Sequence, residues 1–590
     1  MQFTVIDWTI MAVFFVLSLL IGLWTSRQAS KNYKSFFLAD QNMSWWLLGI
    51  SLVATTFSTD TPNLVTDIVR TNGTVGNWVW WAYLVTGMLT VFFYAKLWRR
   101  SGVLTDVEFY ELRYSGKPAA FLRGFRAAYL GMMFNVFIMA SVTLAAIKIG
   151  GVMMGWTPVQ TVVFAALITM IYSMLGGLMG VLLTDFFQFI VAMTGSIWAS
   201  IYLVNLPQVG GLDKLLSHPN VVPKMAFLPD FSTMTWDALL PIFIIPIAVQ
   251  WWASYYPGAE PGGGSYVVQR MLSAKNEKNA VTATLLFNAM HYALRPWPWI
   301  LVAFVSLVVF PDVASIKAHF PNADSAFIGN DTAYPAMMTF LPTGLIGVVV
   351  TSLAAAYMST MSSQVNYGSS ILVNDLYHRF IKPDATQKEL VWAGRVITVI
   401  LMVVSCGLAL MLTSALQSFE ILVLIGAGTG LLYLLRWFWW RINAMTEIVA
   451  MVVSFVVAIA LQQEAFAHWS SGIKLLTGVG VTTLAWVITA FVSKPTSDEK
   501  LLEFYTHIKP SGPGWKHVAK MAGNPVMPHN DFAPAMMCAL FGLVTIYGSL
   551  FATGFFLYGR TGESIGFAVA AIAGVLGIRQ FWNQLSFSHD

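Results

Sequence analysis

Groups able to do chemistry interrupt stretches of the chain that are otherwise apolar. The run Phe57-Ser58-Thr59-Asp60-Thr61-Pro62-Asn63 stands in the middle of an apolar stretch, residues 44–69, and offers hydroxyls, a carboxylate and an amide beside a helix-breaking proline. A second interruption, residues 257–264, has six glycines and prolines among eight residues. Irregular backbone inside a membrane survives only where protein or a water-filled cavity satisfies its polar groups. Both segments are therefore candidates for binding an ion or a polar solute.

Four ionisable residues, Asp60, Glu260, His291 and Arg295, lie near the middle of apolar stretches. An ionisable group in a membrane costs several kcal/mol unless it is paired or faces water. Arg295 is able to hold a carboxylate bidentately, and Glu260 is able to meet an amine or hydroxyls. The alternative is a structural ion pair of Arg295 with Glu260 or with Asp60. For His291 we favour a hydrogen-bonded core histidine over a ligand.

The composition indicates that membrane-spanning helices must position these groups. The chain has 590 residues, of which 57% are apolar and 10% are charged, whereas a soluble protein carries roughly a quarter charged residues. Apolar runs of membrane-spanning length recur throughout and predict about fifteen spans. We therefore expect an all-α polytopic membrane protein in a lipid bilayer. Both cysteines lie in apolar stretches, which excludes a disulfide framework.

The basic residues are distributed unevenly between alternate loops. One set of loops holds twenty lysines and arginines and the opposite set holds five. Basic residues concentrate on the cytoplasmic side of a membrane protein. This predicts a multi-pass protein of the cell membrane with its N-terminus outside and its C-terminus inside. The net charge of +5 is then a topology signal, and we expect no nucleic-acid partner.

A segment near the middle of the first half carries a family resemblance. Residues 171–188 read IYSMLGGLMGVLLTDFFQ, and further matching segments are Ser51-Leu52-Val53-Ala54, Tyr266-Val267-Val268-Gln269-Arg270, Gly394-Arg395 and Phe438-Trp439-Trp440-Arg441. Together they resemble the sodium:solute symporter family, which includes sodium/glucose cotransporters and sodium/proline symporters. The resemblance covers roughly residues 5 to 445.

The resemblance implies a LeuT-type fold of five plus five inverted-repeat helices, with one extra N-terminal helix and about four extra C-terminal helices. Two broken helices placed five spans apart agree with such a repeat. The implied divisions are an N-terminal helix and inside loop (1–43), the first repeat (44–205), an outside loop (206–236), the second repeat (237–440), two extra helices (441–493), an inside loop (494–532) and two last helices (533–590). In the last inside loop the run Leu501-Leu502-Glu503-Phe504-Tyr505 predicts a short amphipathic helix that lies on the membrane or under the core.

The resemblance also implies a sodium site. Its ligands are the backbone carbonyls of Ala54, Phe57 and Ala356 and the hydroxyls of Ser359 and Thr360. Sodium is a hard cation that prefers oxygen, and a broken helix offers free carbonyls beside the hydroxyls of its neighbour. Hydroxyls in a membrane helix otherwise bond to carbonyls of their own helix or join helices, which is what we expect of Ser362, Ser363, Ser369 and Ser370.

Some members hold a second sodium, and the residues that resemble that site are Ser58, Thr61, Thr360 and Asp185. The alternative for Asp185 is a helix cap after the Gly176-Gly177 turn.

The implied solute site is less closely matched. Positions that contact sugar in sugar-transporting relatives align with Thr61, Trp80, Tyr83, Tyr292 and Phe419, which are mostly aromatic here. Aromatic faces stack on sugar rings, but they equally cover cations or close gates. Tyr266 aligns with an aromatic that closes the pocket from inside. The predicted solute-binding residues are Asp60, Trp80, Tyr83, Glu260, Tyr266, Tyr292, Arg295 and Phe419.

These observations favour a sodium-coupled symporter that imports a small polar organic solute by alternating access. A sugar or sugar-like solute is the first expectation, and an amino acid or carboxylate is the next. The alternative is a non-transporting receptor of the same fold that binds sodium and solute. The sequence has no GxSxG, HExxH, CxxC or Walker pattern, so we do not expect an enzyme.

Overall fold

The computed structural model describes residues 3–254, 261–321, 328–412, 423–523 and 531–587. Within these ranges the chain is helical, and a single bridge pairs Met43 with Ala274. Twelve helices of the described chain are long and apolar enough to cross a membrane. With the shorter helices that matter below, the elements in chain order are α1 (Val5–Ala29), α2 (Trp45–Thr56), α3 (Asp60–Asn72), α4 (Thr74–Ser101), α5 (Gly116–Met154), α6 (Pro158–Val204), α7 (Trp236–Ala253), α8 (Ser265–Ser273), α9 (Glu277–Val309), α10 (Leu345–Ile381), α11 (Gln387–Ala409), α12 (Gly430–Leu435), α13 (Ala444–Leu461), α14 (Ser471–Val492), α15 (Asp498–Ile508), α16 (Lys516–Met521), α17 (Phe532–Leu557) and α18 (Thr561–Trp582).

The first expected break lies between α2 and α3. The helix α2 ends at Thr56, and the N–H of Phe57 bonds back to the carbonyls of Val53 and Ala54. The helix α3 begins at Asp60 and has Pro62 in its first turn, where a missing N–H is tolerated. The prediction of a broken second span is confirmed.

The second break separates α7 from α8. The helix α7 ends at Ala253, and Gly262 and Gly263 take φ values of +76° and +83° before α8 begins at Ser265. A glycine adopts this left-handed backbone without the penalty that a Cβ imposes. Residues 255–260, including Glu260, lie outside the described residues.

The helix α6 explains part of the difference between fifteen expected spans and twelve observed ones. It has 47 residues and would be about 70 Å long if straight, more than twice the hydrocarbon core. Gly177, with φ +55°, interrupts it, so its halves correspond to two expected spans. A Cβ on Gly177 would lie 2.7 Å from the Phe36 carbonyl oxygen, which explains the glycine.

The other two missing spans have simple causes. The helices α2 and α3 are each too short to cross alone, because they are the two halves of the broken helix. The span expected near residue 428 falls partly on residues 413–422, which lie outside the described residues, as does Phe419.

Residues 494–532 contain the short amphipathic helix that the sequence predicted. The helix α15 buries one face, formed by Leu501, Phe504, Tyr505 and Ile508. Just before α16, the indole of Trp515 donates a hydrogen bond to the Trp437 carbonyl at 2.8 Å. This loop therefore packs against the core of the protein.

Candidate ion and solute site

A cavity of about 100 Å³ lies beside the first break. Six of the eight predicted solute-binding residues line it, and the other two, Glu260 and Phe419, lie outside the described residues. The full lining is Thr55, Thr56, Ser58, Asp60, Thr61, Leu64, Val65, Trp80, Tyr83, Ile138, Val142, Tyr266, His291, Tyr292, Arg295, Thr360 and Gln364.

The strongest polar arrangement in the cavity joins α9 to the end of α2. Arg295 donates to the Thr56 hydroxyl at 3.0 Å and to His291 Nε2 at 3.3 Å, and His291 Nδ1 lies 3.0 Å from the same hydroxyl. A guanidinium only donates, so Nε2 must accept and the histidine proton must sit on Nδ1. His291 is therefore hydrogen-bonded as expected, although it lies in the cavity wall rather than in the apolar core.

Asp60 adds a carboxylate at the N-terminus of α3. Its Oδ1 is buried and has no hydrogen-bond partner among the described residues, and the carboxylate forms no ion pair with any of them. The Asp60–Arg295 pair that we considered is therefore not formed, whereas a Glu260–Arg295 pair falls outside the described residues. The positive end of a helix stabilises a carboxylate there. Asp60 is thus available to accept a hydrogen bond from a bound solute.

Aromatic rings form one wall of the cavity. Trp80 stacks on Tyr292 with 5.8 Å between ring centroids and an interplanar angle of 21°. The edge of His291 meets Trp80 at 5.7 Å. Aromatic rings that line the same cavity as a guanidinium and a carboxylate suit a solute that has both an apolar face and polar groups.

The five predicted sodium residues meet where α2 ends against the middle of α10, and each is at most 4% exposed. The Thr360 hydroxyl donates to the Thr55 carbonyl at 2.6 Å, and the Ser359 hydroxyl donates to Asp185 at 2.6 Å. Both hydroxyl hydrogens are therefore directed to other acceptors. Their lone pairs remain available to a hard cation, so the donor set fits sodium.

The residues predicted for a second sodium divide between two places. Ser58 and Thr61 line the cavity and lie 3.4 Å apart by their hydroxyl oxygens. Asp185 instead accepts from Ser51 at 2.5 Å and lies 3.7 Å from the Arg270 guanidinium. The structure does not bring Asp185 into contact with Ser58 or Thr61.

Arg270 is a functional candidate that the sequence analysis did not single out, because it lies close to Lys275 and Lys278 and resembles a basic residue of a loop. The structure places it on α8, fully buried, where it donates to Ser363 at 2.5 Å. The sequence does contain a signal for the burial of Arg270. It lies between Val267-Val268 and Met271-Leu272, and apolar residues on both sides of it indicate a helix that is buried all round.

The four serines of α10 bond as expected, either to carbonyls of their own helix or to side chains of neighbouring helices. Ser362, Ser369 and Ser370 each bond to a carbonyl three or four residues back. The Ser363 hydroxyl instead lies 2.8 Å from that of Thr55 and accepts from Arg270. The end of α2 is thus bonded to α10 through the Thr55 and Ser363 hydroxyls as well as through the bond of Thr360 to the Thr55 carbonyl.

Comparisons with known proteins identify the family. The family model "sodium:solute symporter family" matches residues 36–454. A sodium/glucose cotransporter of Vibrio parahaemolyticus is 27% identical over 481 residues, covering 78% of this chain and 85% of its own. A sodium/mannose cotransporter of Bos taurus is 28% identical over 425 residues, covering 68% of this chain and 69% of its own.

A solved structure shows the same fold. A Na⁺-coupled sialic acid symporter in a substrate-bound, outward-open state superposes with a TM-score of 0.67 at 20% identity, covering 84% of this chain and all of that one. At this low sequence identity, the likeness shows a shared fold and nothing more. Because the family model covers most of the chain, the protein belongs to the sodium:solute symporter family, and it is a multi-pass, sodium-coupled transporter rather than an enzyme.

Proposed function

We propose that this protein imports a small polar organic solute together with sodium, and that the solute is a sugar or a sugar-like compound. The observation that carries the proposal is the composition of the cavity wall, which combines stacked aromatic rings with the carboxylate of Asp60 and the guanidinium of Arg295. The names of the relatives, which are sodium/glucose and sodium/mannose cotransporters, support the same class of solute.

The size of the cavity favours a small solute. Its volume of about 100 Å³ is below the range of roughly 300–1,000 Å³ that is usual for ligand pockets. An amino acid or a small carboxylate is the next candidate class, since Arg295 is a guanidinium able to receive an anionic group.

The position of the sodium residues supports coupling between ion and solute. Thr360 belongs to the proposed sodium site and also lines the cavity. Its hydroxyl holds the Thr55 carbonyl, and the next residue, Thr56, accepts from Arg295 and His291. A cation ordering the end of α2 would therefore also order one wall of the solute site. We assign the sodium ligands to Ala54, Phe57, Ala356, Ser359 and Thr360.

For Asp185 we propose pairing with Arg270 rather than a second sodium. The guanidinium already supplies a positive charge 3.7 Å from the carboxylate, and both groups are fully buried. Two hydroxyls, from Ser51 and Ser359, complete the set of donors to the carboxylate.

For membrane placement we propose the cell membrane with the N-terminus outside and the C-terminus inside, as the basic loops indicate.

Uptake by purified protein in liposomes tests the proposal. Labelled sugars, sugar acids, polyols and amino acids are supplied with an inward sodium gradient and with an equal potassium gradient. We expect accumulation of one sugar-like class only under the sodium gradient. Sodium-dependent binding without accumulation would instead support the receptor alternative. A thermal-shift screen selects the solutes first, because a ligand of the folded state raises its melting temperature.

A further inference from the structure

A buried carboxylate outside the ion and solute sites lies at the start of α8. Asp106 belongs to the loop between α4 and α5 and is 8% exposed. Its Oδ2 accepts hydrogen bonds from the backbone N–H of Ser265 and from the hydroxyl of Tyr367, each at 2.9 Å. Its Oδ1 has no partner among the described residues. We call the contact of Asp106 with Ser265 and Tyr367 the Asp106 bridge.

The bridge holds the first residue of α8 in an unusual conformation. Ser265 has φ +55°, a left-handed value that disfavours any residue with a Cβ. Its N–H belongs to the first turn of a helix, where no carbonyl of the helix itself can accept it. The carboxylate satisfies that N–H and also complements the positive end of the helix dipole. Without Asp106, Ser265 would lose the bond that compensates for its backbone strain.

The segment that carries Asp106 is bonded mainly to α10, and its bond to α8 is the one to Ser265. The neighbouring residue, Thr105, donates to Asp375 near the end of α10 at 2.7 Å. Asp375 in turn accepts from Arg123 of α5 at 2.6 Å. Tyr367, the second partner of Asp106, is itself a residue of α10. The loop, the start of α5 and the end of α10 thus form one bonded unit, from which Asp106 reaches across to α8.

The helix α8 carries the groups that close the cavity on this side. All nine of its residues are buried, and its second residue, Tyr266, lines the cavity. Further along, Gln269 bonds to Asn366 of α10 at 2.9 Å and Arg270 bonds to Ser363. The glycines before Ser265 allow the backbone to change direction there, so that α8 is able to move as a unit when its bonds to α10 and to its other neighbours break.

We propose that the Asp106 bridge keeps α8 packed against α10, and that breaking the Asp106–Ser265 bond accompanies opening of the cavity past Tyr266. Asp106 is therefore a positioning residue for the gate formed by α8. This inference depends on the proposed function only in taking Tyr266 to border the path of the solute.

Cysteine accessibility in inside-out vesicles tests this inference without any solute. The reporter is Ser273→Cys, at the last position of α8, where the native side chain is fully buried and bonds only within its own helix. The two native cysteines, Cys406 and Cys538, are buried. The rate of reaction with a membrane-impermeant maleimide then reports how often α8 leaves its packed position.

Asp106→Ala and Asp106→Asn are each compared with Asp384→Asn, which alters an exposed carboxylate on the same side. We expect the alanine variant to react about tenfold faster than the control, the usual effect of losing a hydrogen bond to a charged group. Tyr367→Phe removes one of the two bonds and is expected to give a smaller increase. A second reporter, Ser370→Cys on α10, is expected to remain slow in every variant.

Two results would overturn the inference. One is an equal labelling rate at Ser273→Cys in the Asp106 variants and in the Asp384→Asn control. The other is an equal increase at Ser273→Cys and Ser370→Cys, which would show general loosening rather than movement of α8. If Asp106→Ala does not fold, the labelling rates of Asp106→Asn and Tyr367→Phe test the inference without it. Labelling needs no transported solute, so a wrong solute class would fail in the uptake assay and leave this result unaffected.

Discussion

The hydroxyl of Thr360 donates to the carbonyl of Thr55 at 2.6 Å, which joins the middle of α10 to the last turn of α2. This bond places the proposed sodium ligands of two helices side by side and next to the solute cavity. A cation bound at this junction would draw α2 and α10 together, because it needs oxygens from both. The relationship gives the coupling of ion and solute a definite location.

The first prediction concerns the sodium hydroxyls. Replacing Ser359 and Thr360 together by alanine should raise the sodium concentration for half-maximal uptake at least about tenfold, because two of five oxygen ligands are lost. The measurement is uptake in liposomes as a function of sodium, with expression and melting temperature recorded for each variant.

Ser369→Ala serves as the matched control, since its hydroxyl bonds to the Val365 carbonyl of its own helix. Its sodium dependence should equal that of the unmodified protein. An unchanged sodium dependence in the double variant would rule out the assignment of Ser359 and Thr360 as ligands.

The second prediction concerns the buried pair of Asp185 and Arg270, whose charged atoms are 3.7 Å apart. Removing one partner leaves the other charge uncompensated, which typically costs 3–5 kcal/mol, about the effect expected of Arg270→Gln alone. Asp185→Asn combined with Arg270→Gln should recover most of that loss. Melting temperatures of the two single variants and the double variant in detergent measure the coupling.

A different outcome would support a second sodium. If Asp185→Asn kept its melting temperature but changed the number of sodium ions carried for each solute, Asp185 would be an ion ligand rather than the partner of Arg270. The ratio of sodium to solute fluxes, measured in the same liposomes, separates the two assignments.

The breaks in the helices were predictable from sequence, because local residue types decide them. Pro62 in a polar run, and glycines with positive φ before Ser265, leave few other backbone conformations. The turn at Gly177 was predictable for the same reason. The predicted number of spans, about fifteen, was also close to the twelve helices of membrane-spanning length in the described chain, because one of these, α6, corresponds to two predicted spans.

The partners of buried polar groups were not predictable in this way. Ser51 and Asp185 are 134 residues apart in the chain, and Asp106 and Ser265 are 159 apart. Such contacts depend on the rotation and depth at which helices pack, which the pattern of each separate helix does not contain. Ser363 shows the consequence, since the sequence left a local bond and an inter-helix bond both open and the structure forms the inter-helix one.

The third prediction concerns the acid stability that Glu111 contributes. Burial raises the pKa of Glu111, but hydrogen bonds from Arg379 and Arg123 outweigh it, so the pKa lies below its ordinary value of 4.5. A carboxylate with a lowered pKa stabilises the fold above its unfolded pKa and loses that contribution as pH falls through its folded pKa. The melting temperature should therefore decline below about pH 4.5, and less steeply in Glu111→Gln. Equal slopes for both proteins would contradict this.

The fourth prediction concerns Tyr266 as the gate residue. Tyr266→Ala removes the ring that α8 presents to the cavity and should speed release of solute toward the inside more than it changes the apparent affinity outside. Efflux and uptake rates from the same liposome preparation measure both effects. Tyr266→Phe keeps the ring and is the matched control. If neither rate changes in the alanine variant, the Tyr266 ring only packs against its neighbours and does not act as a gate.

The last prediction concerns Thr56, the residue between the sodium and solute sites. Its hydroxyl accepts from Arg295 at 3.0 Å and lies 3.0 Å from His291 Nδ1, and it donates to a carbonyl of its own helix. Thr56→Val keeps the shape of the side chain but removes this acceptor, which leaves Arg295 less firmly oriented. We expect solute affinity to fall at least about tenfold, since a hydrogen bond to a charged group is worth roughly 1.5–3 kcal/mol.

Sodium affinity in Thr56→Val, measured at saturating solute, should change by less than about a factor of two, because the side chain is not a sodium ligand and less than about 0.4 kcal/mol is involved. Thr56→Ser restores the hydroxyl and should restore the solute affinity. Thr282→Val, which removes a hydroxyl bonded only within α9, is the control for a general effect of the substitution. Equal losses of sodium and solute affinity in Thr56→Val would show that Thr56 supports the end of α2 as a whole, and would contradict a specific part in orienting Arg295.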